Sequence, residues 1–201
     1  RMGVAWVLEI SETSSAAQIE RDLLVAGAEL TGGYDVDCIQ YKPNESGISP
    51  FNLLHHSQFP QSAFSIAHQD GDKSYKASPR ASHDRGFDLI LHKLNVGLQA
   101  DSAGKFEVSG NELKLQDFRI RIGMATQNTY AKGVIVEVEY GPSSVVTQAI
   151  PALTEFIEYF FPEHSQEKPE VLKKSTPEPY TALETLYQYS LLFSHMRKRT
   201  S

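Results

Sequence analysis

Apolar and polar positions alternate or cluster in short runs along most of the chain, and the periods they follow predict more strands than helices. Gly3 to Ile10 is almost wholly apolar and rich in β-branched and aromatic residues, which predicts a buried strand. Ser15 and Gln18 form a capping-box pattern, and Ile19, Leu23 and Ala26 follow helical spacing, so a helix is predicted from Ser15 to about Leu30, ended by Gly32-Gly33. From Tyr34 to Tyr41 the period changes to two, with Asp35 and Asp37 facing away from Val36 and Cys38. Short strands follow at Phe51–His56 and Ala63–His68. Asp70-Gly71 predicts a hairpin into Lys73–Lys76.

Ala77 to Gly86 is polar and reads as an exposed loop. Phe87, Ile90, Leu91 and Leu94 share one helical face, which predicts a short helix. Asp101–Gly104 is turn-like. Lys105–Val108 and Glu112–Gly123 read as a hairpin about Gly110-Asn111, and Lys132–Tyr140 as a further strand. Ala149 to Phe161 is an amphipathic helix with Pro151 in its first turn and Pro162 as its stop. A last helix opens on Thr181-x-x-Glu184 and runs to about Lys198, with Leu183, Leu186, Tyr187 and Phe193 on its apolar face. Its basic end, Arg197 to Arg199, suits the negative end of the helix dipole. It is free to dock on its own domain or on a partner.

Together these elements predict an α+β fold: an antiparallel, barrel-like sheet with one N-terminal helix and two C-terminal helices packed on it. The expected organisation is a barrel domain over 2–162, a polar linker over 163–179 that carries Pro169, Pro177 and Pro179, and a terminal helix over 180–199.

Composition narrows the function. At 201 residues with 40% hydrophobic and 10% aromatic content, the chain can bury a real core. Its net charge of −6 disfavours a broad phosphate-binding surface, so direct sequence-specific DNA binding is not expected. Cys38 is the only cysteine, which leaves no internal disulfide framework and suits a reducing compartment. No apolar run has the length of a membrane span, and no signal-peptide pattern opens the chain.

Candidate chemistry concentrates at Glu137-x-Glu139. On a strand both carboxylates project to one side and could hold a divalent cation inside a barrel. Arg119 and Arg121 alternate likewise in the preceding strand, and if the two strands pair, the four charges fall on one face. The simpler expectation is a solvated face of cross-strand ion pairs. The alternative is a divalent-metal-dependent phosphohydrolase with Glu137 and Glu139 as ligands, Arg119 or Arg121 on phosphate, and Asp35-x-Asp37 as a second acidic pair. His55 and His56 point to opposite faces, and the other histidines lack metal-site spacing. Cys38 reads as a buried structural thiol. No Gly-rich phosphate loop and no nucleophile elbow is present.

Several blocks carry a family resemblance. They are Met2-Gly3-Val4; Gly27-Ala28-Glu29; Val36-Asp37-Cys38 with Tyr41; and His56-Ser57-Gln58-Phe59-Pro60 with Ser62 and Phe64. Phe87-Asp88, Lys93-Leu94, Asp117-Phe118 and Ile122-Gly123 continue the series. Gly133 to Pro142 and then Tyr187-Gln188-Tyr189, Phe193 and Arg197-Lys198 complete it. In this order they resemble the Mediator subunit 20 family over nearly the whole chain. The resemblance implies a non-catalytic nuclear scaffold of the Mediator head module in RNA polymerase II transcription, built as a β-barrel and needing no cofactor. It implies pairing with the related barrel subunit 18, a tether through the C-terminal part of subunit 8, and contact with RNA polymerase II and general initiation factors through the complex. Phe59 and Pro60 in one loop, and Tyr140, Gly141 and Pro142 at a strand end, are the candidate partner contacts, being bulky or rigid groups where the sheet reaches its rim.

Overall fold

The structure is a computed structural model and describes residues 2–47, 49–67, 75–93, 97–175 and 177–199. Among these residues eight strands form one antiparallel sheet: β1 (Val4–Ile10), β2 (Glu29–Pro43), β3 (Phe51–His56), β4 (Ser62–Ala67), β5 (Arg80–Asp84), β6 (Leu98–Leu115), β7 (Phe118–Gln127) and β8 (Tyr130–Tyr140). Their order is β1-β8-β7-β6-β2-β3-β4-β5, so β1 and β5 are edges and the curled sheet is a half-barrel. The helices α1 (Ala16–Val25), α3 (Val146–Phe160) and α4 (Ala182–Lys198) pack on it, and α2 (Phe87–Lys93) is a short fourth.

Opposite faces of the sheet receive different helices. On β8 the residues from Gly133 to Glu139 are all buried, which a strand covered on one side only would not allow. The outer face carries Phe118, whose ring lies 4.6 Å from that of Phe156 in α3. The inner, concave face holds α4. There Phe193 stacks on Phe106 at 4.9 Å, and every residue from Glu184 to Ser190 is buried. A helix buried all round is a plug rather than an amphipathic surface element. It docks within its own chain, and its predicted apolar face of Leu183, Leu186, Tyr187 and Phe193 is only part of what it buries.

Its start is fixed locally. Thr181 and Glu184 close the predicted capping box, and Lys174 reaches the same glutamate at 3.0 Å. The polar segment before it seats Val171 and Leu172 in the core through a short 3-10 turn. At the β1 edge one side chain takes the place of a ninth strand. The Gln188 carbonyl accepts from the Val7 N–H at 2.8 Å, and its amide nitrogen donates to the Ala5 carbonyl at 3.0 Å.

Several boundaries differ from the sequence expectation. Helix α1 ends at Val25 because Gly27, at φ 103°, turns the chain, so Gly32 and Gly33 lie inside β2. Ser15 makes no side-chain cap; its hydroxyl donates to the Glu12 carbonyl at 2.6 Å. Tyr75 to Ala77 forms a 3-10 turn where a strand was expected, and β5 replaces the expected loop; Asp70-Gly71 lies outside the described residues. On α2, Phe87 and Leu91 of the predicted face pack into one small cluster, Ile90 is 54% exposed, and Leu94 lies outside the described residues. Helix α3 begins at Val146, which puts Pro151 inside it rather than in its first turn.

The predicted hairpin about Gly110-Asn111 is absent. Strand β6 runs straight through those residues and turns at Gln116-Asp117. Gly110 and Gly123 face each other in register because a side chain would collide: a Cβ on Gly110 would lie 1.8 Å from the Ile122 carbonyl oxygen. These are close-approach glycines, which mimic a turn signal in the sequence. The turn-like Asp101–Gly104 is a bulge within β6, where Asp101 accepts from the Gly104 N–H at 3.0 Å.

The β7–β8 turn contains the chain's least comfortable described backbone. Asn128 and Thr129 both sit at positive φ, 47° and 73°, and Thr129 is β-branched. Thr129→Gly is expected to raise unfolding stability by about 0.5–1 kcal/mol in urea denaturation. A stability equal to or below the parent's would refute a strained turn.

Candidate functional site

The concave face of the half-barrel converges on one carboxylate. Glu137 on β8 pairs in register with Arg121 on β7, and Arg121 with Glu112 on β6. The Arg121 guanidinium donates to Glu137 and, from Nε at 2.8 Å, to Glu112; Glu139 lies 3.7 Å from it. The other Glu137 oxygen accepts from His56 Nε2 at 2.8 Å and from the Tyr189 hydroxyl at 2.8 Å. Gln58 N–H donates to His56 Nδ1 at 3.0 Å, which leaves the ring proton on Nε2, facing Glu137. Gln58 also donates through its amide to Glu139 at 3.1 Å. A single network thus ties β3, β6, β7, β8 and α4 together across the concavity.

These groups are not solvated, contrary to the sequence expectation. Arg121 and Glu137 are each 1% exposed and Glu139 is 3% exposed, because α4 lies over the face that would otherwise meet water. Burial alone would raise the Glu137 carboxyl, but Arg121, His56 and Tyr189 more than reverse this and hold it at about 2. Burial likewise opposes the charge on Arg121, and the surrounding carboxylates overcome it. Burial and the neighbouring Glu137 charge push the Tyr189 hydroxyl well above its ordinary range. The result is a closed, ionised cluster in which each carboxylate oxygen accepts from a protein donor.

The expected second acidic pair does not join it. Asp35 and Asp37 face outward; Asp37 binds His55 Nδ1 at 2.8 Å, and His55 Nε2 reaches Asp88 of α2 at 2.9 Å. Burial disfavours the charged imidazole, yet the two carboxylates outweigh it and raise the His55 pKa. Among the described residues no group of three or more His, Cys, Asp or Glu side chains has metal-binding geometry. Cys38 is fully buried, and burial pushes its thiol up to about 12, the state of an inert structural cysteine. No helix among the described residues is long and apolar enough to cross a membrane.

Known proteins share this chain's sequence almost from end to end. The family model described as the TATA-binding related factor (TRF) of subunit 20 of Mediator complex matches residues 2–194. The chain belongs to the Mediator subunit 20 family. It is 43% identical over 203 residues to Mediator of RNA polymerase II transcription subunit 20 of Caenorhabditis briggsae, with 99% of this chain and 100% of that protein covered. The Homo sapiens protein of the same name is 30% identical over 211 residues, covering 98% and 96%. Among solved structures the chain is similar to one in the structure of the Schizosaccharomyces pombe Mediator head module, at 12% identity and TM-score 0.46, covering 80% of this chain and 96% of that one.

The candidate partner contacts lie at one end of the half-barrel. Phe59 is half-buried in the β3–β4 turn, with its ring centroid 5.4 Å from His56 and 5.9 Å from Phe64, while Pro60 is exposed. Tyr140 is half-buried against Phe118 at 5.4 Å, and Gly141 and Pro142 are exposed beyond it. The Gln58–Glu139 bond joins the two segments. Sequence reasoning missed His56, Gln58, Glu112 and Tyr189 as members of the interior cluster. Strand parity does put His56 on the inner face, but no linear spacing links β3 to β8.

Removing Glu137 leaves the Arg121 charge buried with less compensation, so Glu137→Ala is expected to cost about 3–5 kcal/mol in chemical denaturation. A loss below about 1 kcal/mol, the range of a surface pair, would refute the cluster. Because the folded carboxyl lies below its ordinary 4.5, its stabilisation is present above that pH and drains away as pH falls towards 2; Glu137→Gln should remove this part of the acid dependence. The sign is opposite for His55. Its contribution is complete below its ordinary 6.5 and disappears as pH rises through the raised folded value. Hydrogen exchange in α2, corrected for intrinsic rates, should therefore quicken as pH rises above 6.5 and lose that dependence in His55→Gln.

Proposed function

We propose that this chain is a non-catalytic subunit of the Mediator head module, working in the nucleus as a scaffold in RNA polymerase II transcription. The observation that carries the reading is family membership across residues 2–194. The interior supports the non-catalytic part. Glu137 and Glu139, the pair a metal-dependent phosphohydrolase would use, are bonded to Arg121, His56, Tyr189 and Gln58 beneath a helix of the same chain. The function then lies on the surface.

The related barrel subunit 18 is the proposed direct partner, with the C-terminal part of subunit 8 as the tether and RNA polymerase II and the initiation factors met through the complex. Pro60, Gly141 and Pro142 are proposed as contacts, backed by Phe59 and Tyr140. Exposed, rigid groups on a packed aromatic base form a surface that loses little conformational entropy on binding.

Co-expression with subunits 18 and 8, followed by size-exclusion chromatography with mass determination, tests this. A stoichiometric complex that survives moderate salt is expected, and Pro60→Asp with Pro142→Asp should weaken it without lowering the melting temperature. A chain that stays monomeric beside both subunits would overturn the proposal.

A further inference from the structure

One row along the inner face from Glu112, Arg121 and Glu137 stand Lys114, Arg119 and Glu139, again on β6, β7 and β8. This row opens at the mouth of the half-barrel into a cavity of about 260 Å³ lined by Lys114, Gln116, Asp117, Arg119, Glu139 and Pro142, among others. Two carboxylates flank these cations in register, Glu29 opposite Lys114 on β2 and Glu139 opposite Arg119 on β8. Among the described residues the exposed Glu29 ion-pairs with neither cation, and the Glu139 carboxylate is turned inward, accepting from Gln58 at 3.1 Å and lying 3.7 Å from Arg121. Lys114 and Arg119 are therefore exposed, directly opposite each other, and without an ion-pair partner among the described residues.

Like charges directly opposite on neighbouring strands destabilise a sheet, and an anion between them reverses the sign of the interaction. Asp117 lines the same cavity but is exposed on the turn and pairs with neither cation. The surroundings also select the form of the anion. The volume suits one or two side chains rather than a folded element, Arg119 offers a planar fork that matches a carboxylate, and Phe118 and Pro142 supply apolar contact at the rim.

We propose that this mouth, with Lys114 and Arg119 as its cations and Gly141-Pro142 as its rim, is the docking pocket for an acidic loop of a protein partner, whose carboxylate enters between them. The inference rests on the proposed scaffold role and adds to it the chemistry of the contact.

The test is the affinity of the chain for co-expressed head-module subunits across a salt series. The double reversal Lys114→Glu with Arg119→Glu is expected to weaken capture about tenfold or more and to flatten the salt dependence, compared at a temperature where circular dichroism shows both chains folded. The neutral pair Lys114→Gln with Arg119→Gln should fall between, and Lys132→Glu, near the β7–β8 turn, should match the parent. If the parent chain captures the subunits and the double reversal captures them equally well with the same salt slope, the pocket is overturned while the scaffold role stands. If the parent captures none, the scaffold role is overturned and the pocket is judged by NMR titration with a short peptide of alternating Glu and Gly. Shifts confined to amides 114–119 and 139–142, and lost in the double reversal, uphold it; unmoved amides overturn it.

Discussion

The half-barrel depends on a carboxylate in a place where carboxylates are costly. Taking Glu137 and Arg121 out of water carries a desolvation penalty of several kcal/mol per ion, which the pair offsets only with further hydrogen-bond partners around it. Those partners come from distant parts of the chain: His56 and Gln58 from the β3 end, Glu112 from β6 and Tyr189 from the last helix. An apolar interior of the same volume would tolerate slippage of α4 in its groove. A charged one does not, because a shifted helix would leave Glu137 short of a donor.

That constraint links architecture to role. An open concave sheet with paired carboxylates and arginines has the raw materials for binding a cation or a phosphate. In this chain α4 fills the concavity and Tyr189 joins the cluster, so the charges serve the fold. What stays accessible is the rim, where the cations of the next row and the Gly141-Pro142 segment stand beyond the reach of the plug.

Much of this was legible in the sequence, and the exceptions share a cause. The strand-rich α+β class, the capping box at Thr181 and the strand at Lys132–Tyr140 all follow from local periodicity, and the structure contains each of them. Gly110 misled because close approach of two backbones and a tight turn both require glycine, and only the pairing partner distinguishes them. The burial of Arg121 and Glu137 was hidden for a similar reason. Alternation shows that they share a face with their neighbours but not which element later covers it. Parity places His56 on the inner face and no more, and Tyr189 lies off the predicted apolar face of its helix; their roles arise from curvature that brings β3 opposite β8.

The amide of Gln188 on the β1 edge has a consequence for the folding of the chain. A half-barrel exposes sheet edges that closed barrels do not, and an unpaired edge invites another copy to add to it. By occupying the Ala5 carbonyl and the Val7 N–H, one glutamine takes up a donor and an acceptor in the middle of the edge, which interrupts any β-ladder that would add there. Helix α4, which follows all eight described strands along the chain, is thus also the guard of the first of them, and until it docks this edge is open to self-association.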